Sequence, residues 1–222
     1  MIFRTNIQAP QYPFKIDYSN AIMLLGSCFS DSIGGYFSQR RFSTCSNPFG
    51  VLFNPISIDH ALRILLNPDS FDKSRYFYKY RELWVSFAHH GQFSNADYGV
   101  FEQNIDAQLF AASEFLRKTD YLFLTFGTAF CYKFIPRDLI VANCHKIPNY
   151  QFDRFRLDIK TIVQQYHSTI QLIKELRPDI KIIFTVSPVR HIGDGLHDNE
   201  LSKAVLQLAV EKLVENETTF YF

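Results

Sequence analysis

Four short stretches of the chain are apolar at consecutive positions instead of alternating ones: "AIMLL" (21–25), "YLFLTF" (121–126), "KIIFTV" (181–186) and "TFYF" (219–222). Strands apolar on both faces belong in a parallel sheet covered by helices on each side. A weaker strand is predicted at "RFSTCS" (41–46), just before "NPFG". Between these runs the apolar period lengthens to that of a helix. Over 158–176, Ile159, Ile162, Val163, Tyr166, Ile170 and Ile173 fall on one stripe, which stops at Pro178. Leu201, Val205, Leu208 and Leu213 predict another helix, with Asp198 or Asn199 as its cap. Ile33 and Phe37 predict a helix that starts near Ser30 or Asp31, and 55–66 and 101–117 predict two more.

Strands alternating with helices in this order predict a three-layer α/β/α sandwich around a mostly parallel five-stranded sheet, with right-handed crossovers. Two segments break the alternation, 76–91 and the hairpin-like 129–146, and are expected as insertions at the sheet's rim. No repeat or Gly/Ser/Pro-rich linker divides the chain, so one domain over 1–222 is expected. Open parallel sheets bind ligands beyond the carboxyl ends of their strands. That rule directs attention to the loops 26–30, 127–129 and 187–195.

Composition narrows the function classes. With 47% hydrophobic and 20% charged residues the chain can bury a sizeable core, and 23 Phe with 12 Tyr make that core aromatic. A net charge of +1, with no basic run longer than Arg40-Arg41, supplies no field for nucleic acid or anionic lipid. No apolar run is long enough to span a bilayer, and the first residues lack the apolar core of a signal peptide. Cys28, Cys45, Cys131 and Cys144 have no C-x-x-C spacing, so neither a disulfide framework nor a metal site is expected, and no cofactor. A reducing compartment, the cytoplasm, follows from that usage. Nothing in these residues fixes an oligomeric state.

The candidate chemistry starts at "MLLGSCFSD" (23–31). Ser27 follows a buried strand and precedes a helix, so its hydroxyl should emerge at the ligand edge beside helix N–H groups suited to an oxyanion. It is a nucleophile or simply a helix cap. Cys28 is a second nucleophile in the same place, or a packed thiol. His60 and His167 sit in predicted helices and are structural or surface residues. His89 and His90 are adjacent, so at most one faces a site. His145 in "NCHK" and His191 in "SPVRH" are loop residues near strand ends, and His197 closes an Asp-x-x-His run with Asp194. A loop histidine beside a carboxylate suits a general base held by a partner.

Several segments together resemble the GSCFA domain family: "GSCFS" (26–30), "NPFGVLFNP" (47–55), "LWVSFAHH" (83–90), "LTFGTAF" (124–130), "NCHK" (143–146) and "TVSPVRHIGDGLHDNELSKA" (185–204). GSCFA domains are similar to the SGNH (GDSL-like) hydrolases, which are flavodoxin-like sandwiches. The resemblance implies a serine esterase or acyltransferase with Ser27 as nucleophile and an ester of a small molecule, acylated glycan or cell-envelope fragment as substrate. It places Gly50 near the oxyanion and Gly127 at the opening of the block that reads G-x-N in SGNH enzymes. Here that block is Gly127-Thr128-Ala129, so Asn47, Asn54 or Asn143 would have to supply the amide donor, with Thr128, His145 and Arg190 on the substrate side. In SGNH enzymes the catalytic Asp-x-x-His follows the last strand. The chain ends at Phe222 inside that strand, so truncation before this block is expected, with His191, then His197, as the base within the chain. The alternative is a non-catalytic module binding a carbohydrate or acyl ligand at the same loops.

Overall fold

The run at residues 21–25 forms a strand one residue longer than its apolar signal, extended by Gly26, and buried at every position. A computed structural model describes residues 11–190, 193, 195–214 and 218–222. The elements follow in the order β1 (Ala21–Gly26), α1 (Cys28–Gln39), β2 (Ser43–Ser46), α2 (Pro55–Leu66), α3 (Lys73–Tyr76), β3 (Phe77–Tyr80), β4 (Leu83–Ser86) and α4 (Tyr98–Leu116). Then come β5 (Tyr121–Phe126), β6 (Phe130–Phe134), β7 (Leu139–Val141), β8 (Phe152–Arg156), α5 (Ile159–Leu176), β9 (Lys181–Val186), α6 (Leu196–Leu213) and β10 (Thr219–Tyr221).

The main sheet has five strands in the order β10-β9-β5-β1-β2, and every pairing is parallel. It is the centre of a three-layer α/β/α sandwich. Met23, Leu25, Leu122, Leu124, Ile182 and Phe184 point to one face, where α2, α4, α5 and α6 cover them. Ile22, Leu24, Tyr121 and Ile183 point to the other and meet Ile33 and Phe37 of α1, together with Phe14 and Ile16. Handedness accounts for this division. The β1-α1-β2 crossover steps outward one way, and all later crossovers step the other way, so the right-handed rule sends their helices to the opposite face. A buried carboxylate ties two of those helices together: Asp59 of α2 accepts from Gln165 Nε2 at 2.7 Å and from Thr169 of α5, and pairs with Arg63 at 2.9 Å.

Several boundaries differ from their sequence expectation. β2 starts at Ser43 and not at Arg41, because Arg41 has φ 67° and cannot belong to a strand. α6 starts at Leu196 with Gly195 at its cap position, which puts Asp198 and Asn199 inside its first turn and overturns their capping role. α4 starts at Tyr98, where Asp97 accepts from the N–H of Val100 at 2.9 Å; its first turn is largely exposed and gives no apolar signal. The 76–91 insertion contains the antiparallel β3–β4 hairpin. The 129–146 segment forms β6 and β7, which join β8 in a second antiparallel sheet ordered β7-β6-β8. Among the described residues, no helix is long and apolar enough to cross a membrane.

Candidate functional site

The candidate site begins with a residue that only glycine can be. Gly26 has φ +138°, and a Cβ there would lie 2.2 Å from the carbonyl oxygen of Thr125. This contact lets β1 run flush against β5 and then turn into α1. Ser27 is the N-cap of α1, 1% exposed, and its Oγ accepts from the N–H of Phe29 at 3.3 Å. Its own N–H donates to Thr125 O at 3.1 Å. Beneath the turn, Ser30 Oγ and Thr185 Oγ1 both donate to Thr125 Oγ1, at 3.0 and 2.8 Å. Cys28 is exposed, and among the described residues its N–H is the one donor of this turn without an acceptor.

A second loop wraps that turn, with Asn47 as its hub. Asn47 Oδ1 accepts from Gly26 N at 2.8 Å, while Nδ2 donates to Asp31 Oδ1 at 2.6 Å and lies 3.5 Å from Ser27 O. Its left-handed backbone, φ 43°, is one that asparagine tolerates. The Gly50 N–H is spent on Asn47 O at 2.7 Å, and Leu52 N donates to Gly26 O at 2.9 Å. Phe53 O then accepts from both Gly127 N, at 2.7 Å, and Thr128 N, at 3.0 Å. The Gly50 and Gly127 N–H groups are therefore engaged by the protein's own carbonyls and do not open toward a ligand. Asn54 caps α2 through Ser57 N at 2.8 Å. Of the asparagines at positions 47, 54 and 143, Asn47 is the one bonded to the turn carrying Ser27.

The third loop is fastened from α6. Lys203 Nζ donates to Gly127 O at 2.5 Å and Ser187 O at 2.6 Å, bridging the loops that follow β5 and β9. Partial burial holds the pKa of this ammonium below the ordinary lysine value. Ser202 Oγ accepts from Ala129 N at 2.8 Å and lies 3.1 Å from Thr128 Oγ1. Ala129, at the third position of the Gly127-Thr128-Ala129 block, is fully buried and presents no polar group.

The histidines divide by position. His191 and Asp194 lie outside the described residues. His197 is exposed in the first turn of α6, and Arg190 is exposed beyond β9. His89 turns inward, stacks on Phe49 at 4.5 Å and sits 2.7 Å from Ser86 Oγ through Nδ1; burial, then His60 and His145, push its pKa down to about 3. His60 stacks on Tyr76, and burial with Arg75 and Arg63 lowers it to about 4. His90 faces outward with Asn143 and His145 into a separate cleft between the β3–β4 hairpin and the loop after β7. Burial lowers His145, partly opposed by its bond to Ser86 O. Among the described residues, no group of three or more His, Cys, Asp or Glu side chains could hold a metal ion.

The sequence matches the GSCFA family over residues 21–222. The chain belongs to the GSCFA family. No curated protein and no solved structure matches it. The GSCFA motif is the β1–α1 turn itself, and Ser30, in the place of the motif's closing alanine, uses its hydroxyl on Thr125 Oγ1 below. In this GSCFA chain the sequence offers Asn47 only as one of three candidate amide donors, and the roles of Lys203 and of the outward His90 are not singled out by it. The available signals were an Asn-Pro pair directly after β2 and the His89-His90 pair in the family segment.

Proposed function

We propose that this GSCFA chain is an SGNH-like serine esterase or acyltransferase acting on an ester of a small molecule or glycan. The observation that carries the reading is the pairing of Ser27, on a glycine-only turn at the carboxyl end of β1, with the unengaged N–H of Cys28 beside it. Ser27 Oγ attacks the acyl carbonyl carbon and passes its proton to a histidine of the β9–α6 segment, His191 or His197. The tetrahedral oxyanion takes the Cys28 N–H, and the histidine returns the proton to the departing alkoxide. Water, or a second alcohol, then displaces the acyl group from Ser27 by the same path. The step uses protein groups alone, and cysteines without disulfide partners fit a cytoplasmic setting.

Ser27→Ala should lower turnover of p-nitrophenyl acetate by about 10³-fold or more, with an unchanged circular dichroism spectrum. Equal turnover by the variant would sink the assignment. One feature favours a second reading, a non-catalytic glycan-binding or acyl-binding module. Ser27 is almost fully covered and its Oγ is already hydrogen-bonded as a cap. Ligand binding that survives Ser27→Ala, with no turnover by either protein, would select that reading.

A further inference from the structure

A cleft of about 780 Å³ opens between the tip of the β3–β4 hairpin and the 143–146 loop. Among the described residues its charged lining is Arg81, Lys146 and Glu82, a net positive set, and the imidazoles of His90 and His145 add ring nitrogens. Among the described residues neither Arg81 nor Lys146 takes part in an ion pair. The Arg81 guanidinium instead rests over Tyr80, 5.2 Å from the ring centroid. Tyr80 and Leu83 give the cleft an apolar wall as well.

The backbone here is held in conformations that cost energy. Arg81, His145 and Lys146 have φ 54°, 49° and 60°, so three lining residues other than glycine are left-handed. A Cβ disfavours this backbone, and such strain gathers where a side chain must be aimed. His145 is aimed twice over. Asn143 Oδ1 accepts from its N–H at 2.8 Å, and Nε2 donates to Ser86 O at 2.8 Å. With the proton on Nε2, its Nδ1 is left to face the Gly91 side of the cleft.

The cleft also adjoins the loop that wraps Ser27. Gly50 has φ +75°, and a Cβ there would lie 2.3 Å from His90 Cβ, so His90 packs directly on the backbone that holds Asn47. His90 N donates to Phe49 O at 2.8 Å in the same contact.

We propose that this cleft binds an anionic group, carboxylate or phosphate, carried on a sugar or similar polyol, with Arg81, Lys146 and the His90 Nε2–H donating to the anion and His145 Nδ1 accepting from a hydroxyl of the polyol. As a binding site it is independent of the chemistry at Ser27. As a statement of substrate class it rests on the esterase reading, and it narrows the substrate to an ester of an acidic or phosphorylated glycan.

The test is a titration of the full chain at constant ionic strength with galacturonate, galactose 6-phosphate and galactose, following the histidine ring resonances by NMR. His90→Gln and His145→Gln identify the two signals. Both anions, or one of them, should shift these signals saturably and bind at least tenfold more tightly than galactose. Uronate alone assigns the carboxylate, and sugar phosphate alone assigns the phosphate. The double variant Arg81→Asn, Lys146→Asn, chosen because asparagine accepts the left-handed backbone, should weaken anion binding at least tenfold. Galactose binding as tightly as the anions, no binding of either anion, or binding untouched in the double variant overturns the proposal. Anion binding retained in Ser27→Ala without esterase activity in the parent removes the esterase reading and leaves the site. Turnover without anion binding does the reverse.

Discussion

The amide of Asn47 donates to the carboxylate of Asp31 across 2.6 Å, joining the loop after β2 to the first turn of α1. The same side chain accepts from Gly26 N–H, so one residue secures both sides of the turn that carries Ser27. Asn47→Ala removes both bonds, leaves the buried Gly26 N–H without an acceptor and puts a less tolerant residue at φ 43°. The expected loss of unfolding free energy is about 3 kcal/mol. Asn47→Gly loses the same bonds but accepts the backbone, and should fall short of that loss by about 1 kcal/mol. Urea unfolding of both variants measures the difference. Equal losses would show that the left-handed conformation carries no cost here.

Stability should fall on the acid side of neutrality because of His60 and His89. An unfolded imidazole binds its proton below about pH 6.5. The folded rings do so only near about 4 and about 3, burial being the first cause in both. The unfolded chain therefore holds more protons in this window, and stability is lost as the pH falls from 6.5 toward those values. His60 alone accounts for about 3 kcal/mol by pH 4. His60→Phe preserves a ring against Tyr76 and removes the titration, so the difference in stability between pH 7 and about 4.5 should shrink by about 2 kcal/mol. An unchanged pH profile in the variant would exclude His60 as a source.

Thiol labelling should be selective. Cys28 is exposed beside Ser27, while burial pushes Cys45 and Cys144 up to about 11 and Cys131 up to about 12. Iodoacetamide at pH 7.5 should therefore modify Cys28 first, read by peptide mass, at least tenfold faster than the other thiols. Rapid labelling at Cys131 would contradict its burial. If the esterase reading is right, alkylated Cys28 should also suppress turnover, because the added group stands at the mouth of the Ser27 turn.

The strands of the parallel core were legible because β1, β5 and β9 are apolar on both faces and so need no alternation to be found. β8 was not, because "FDRFR" has one buried residue, Phe152, and its charges face outward from a small sheet. The start of α6 was missed for a different reason. A glycine at the cap position, with no side-chain cap bond, gives none of the polar signal that marks a helix start. At the candidate site, strand followed by helix was enough to place Ser27 at the carboxyl end of β1 and the start of α1. The allotment of hydrogen bonds was not legible, since the acceptors for the Gly50 and Gly127 N–H groups are the carbonyls of Asn47 and Phe53 on a separate wrapping loop. Whether His89 or His90 faced outward depended on packing against Phe49, a contact that no local pattern encodes.

The strand order also governs how this chain must assemble. β1 finds β2 across a single helix, but its other neighbour, β5, arrives from far along the chain, and Ala21 N–H bonds a carboxylate 99 positions away at Asp120. Closing so long a loop costs entropy before any pairing repays it. By that cost the β1-α1-β2 unit is expected to gather before the strand pair beneath Ser27. The Thr125 contacts that shape the candidate site need that pairing, so the site is expected to take its geometry no earlier than the β1–β5 closure.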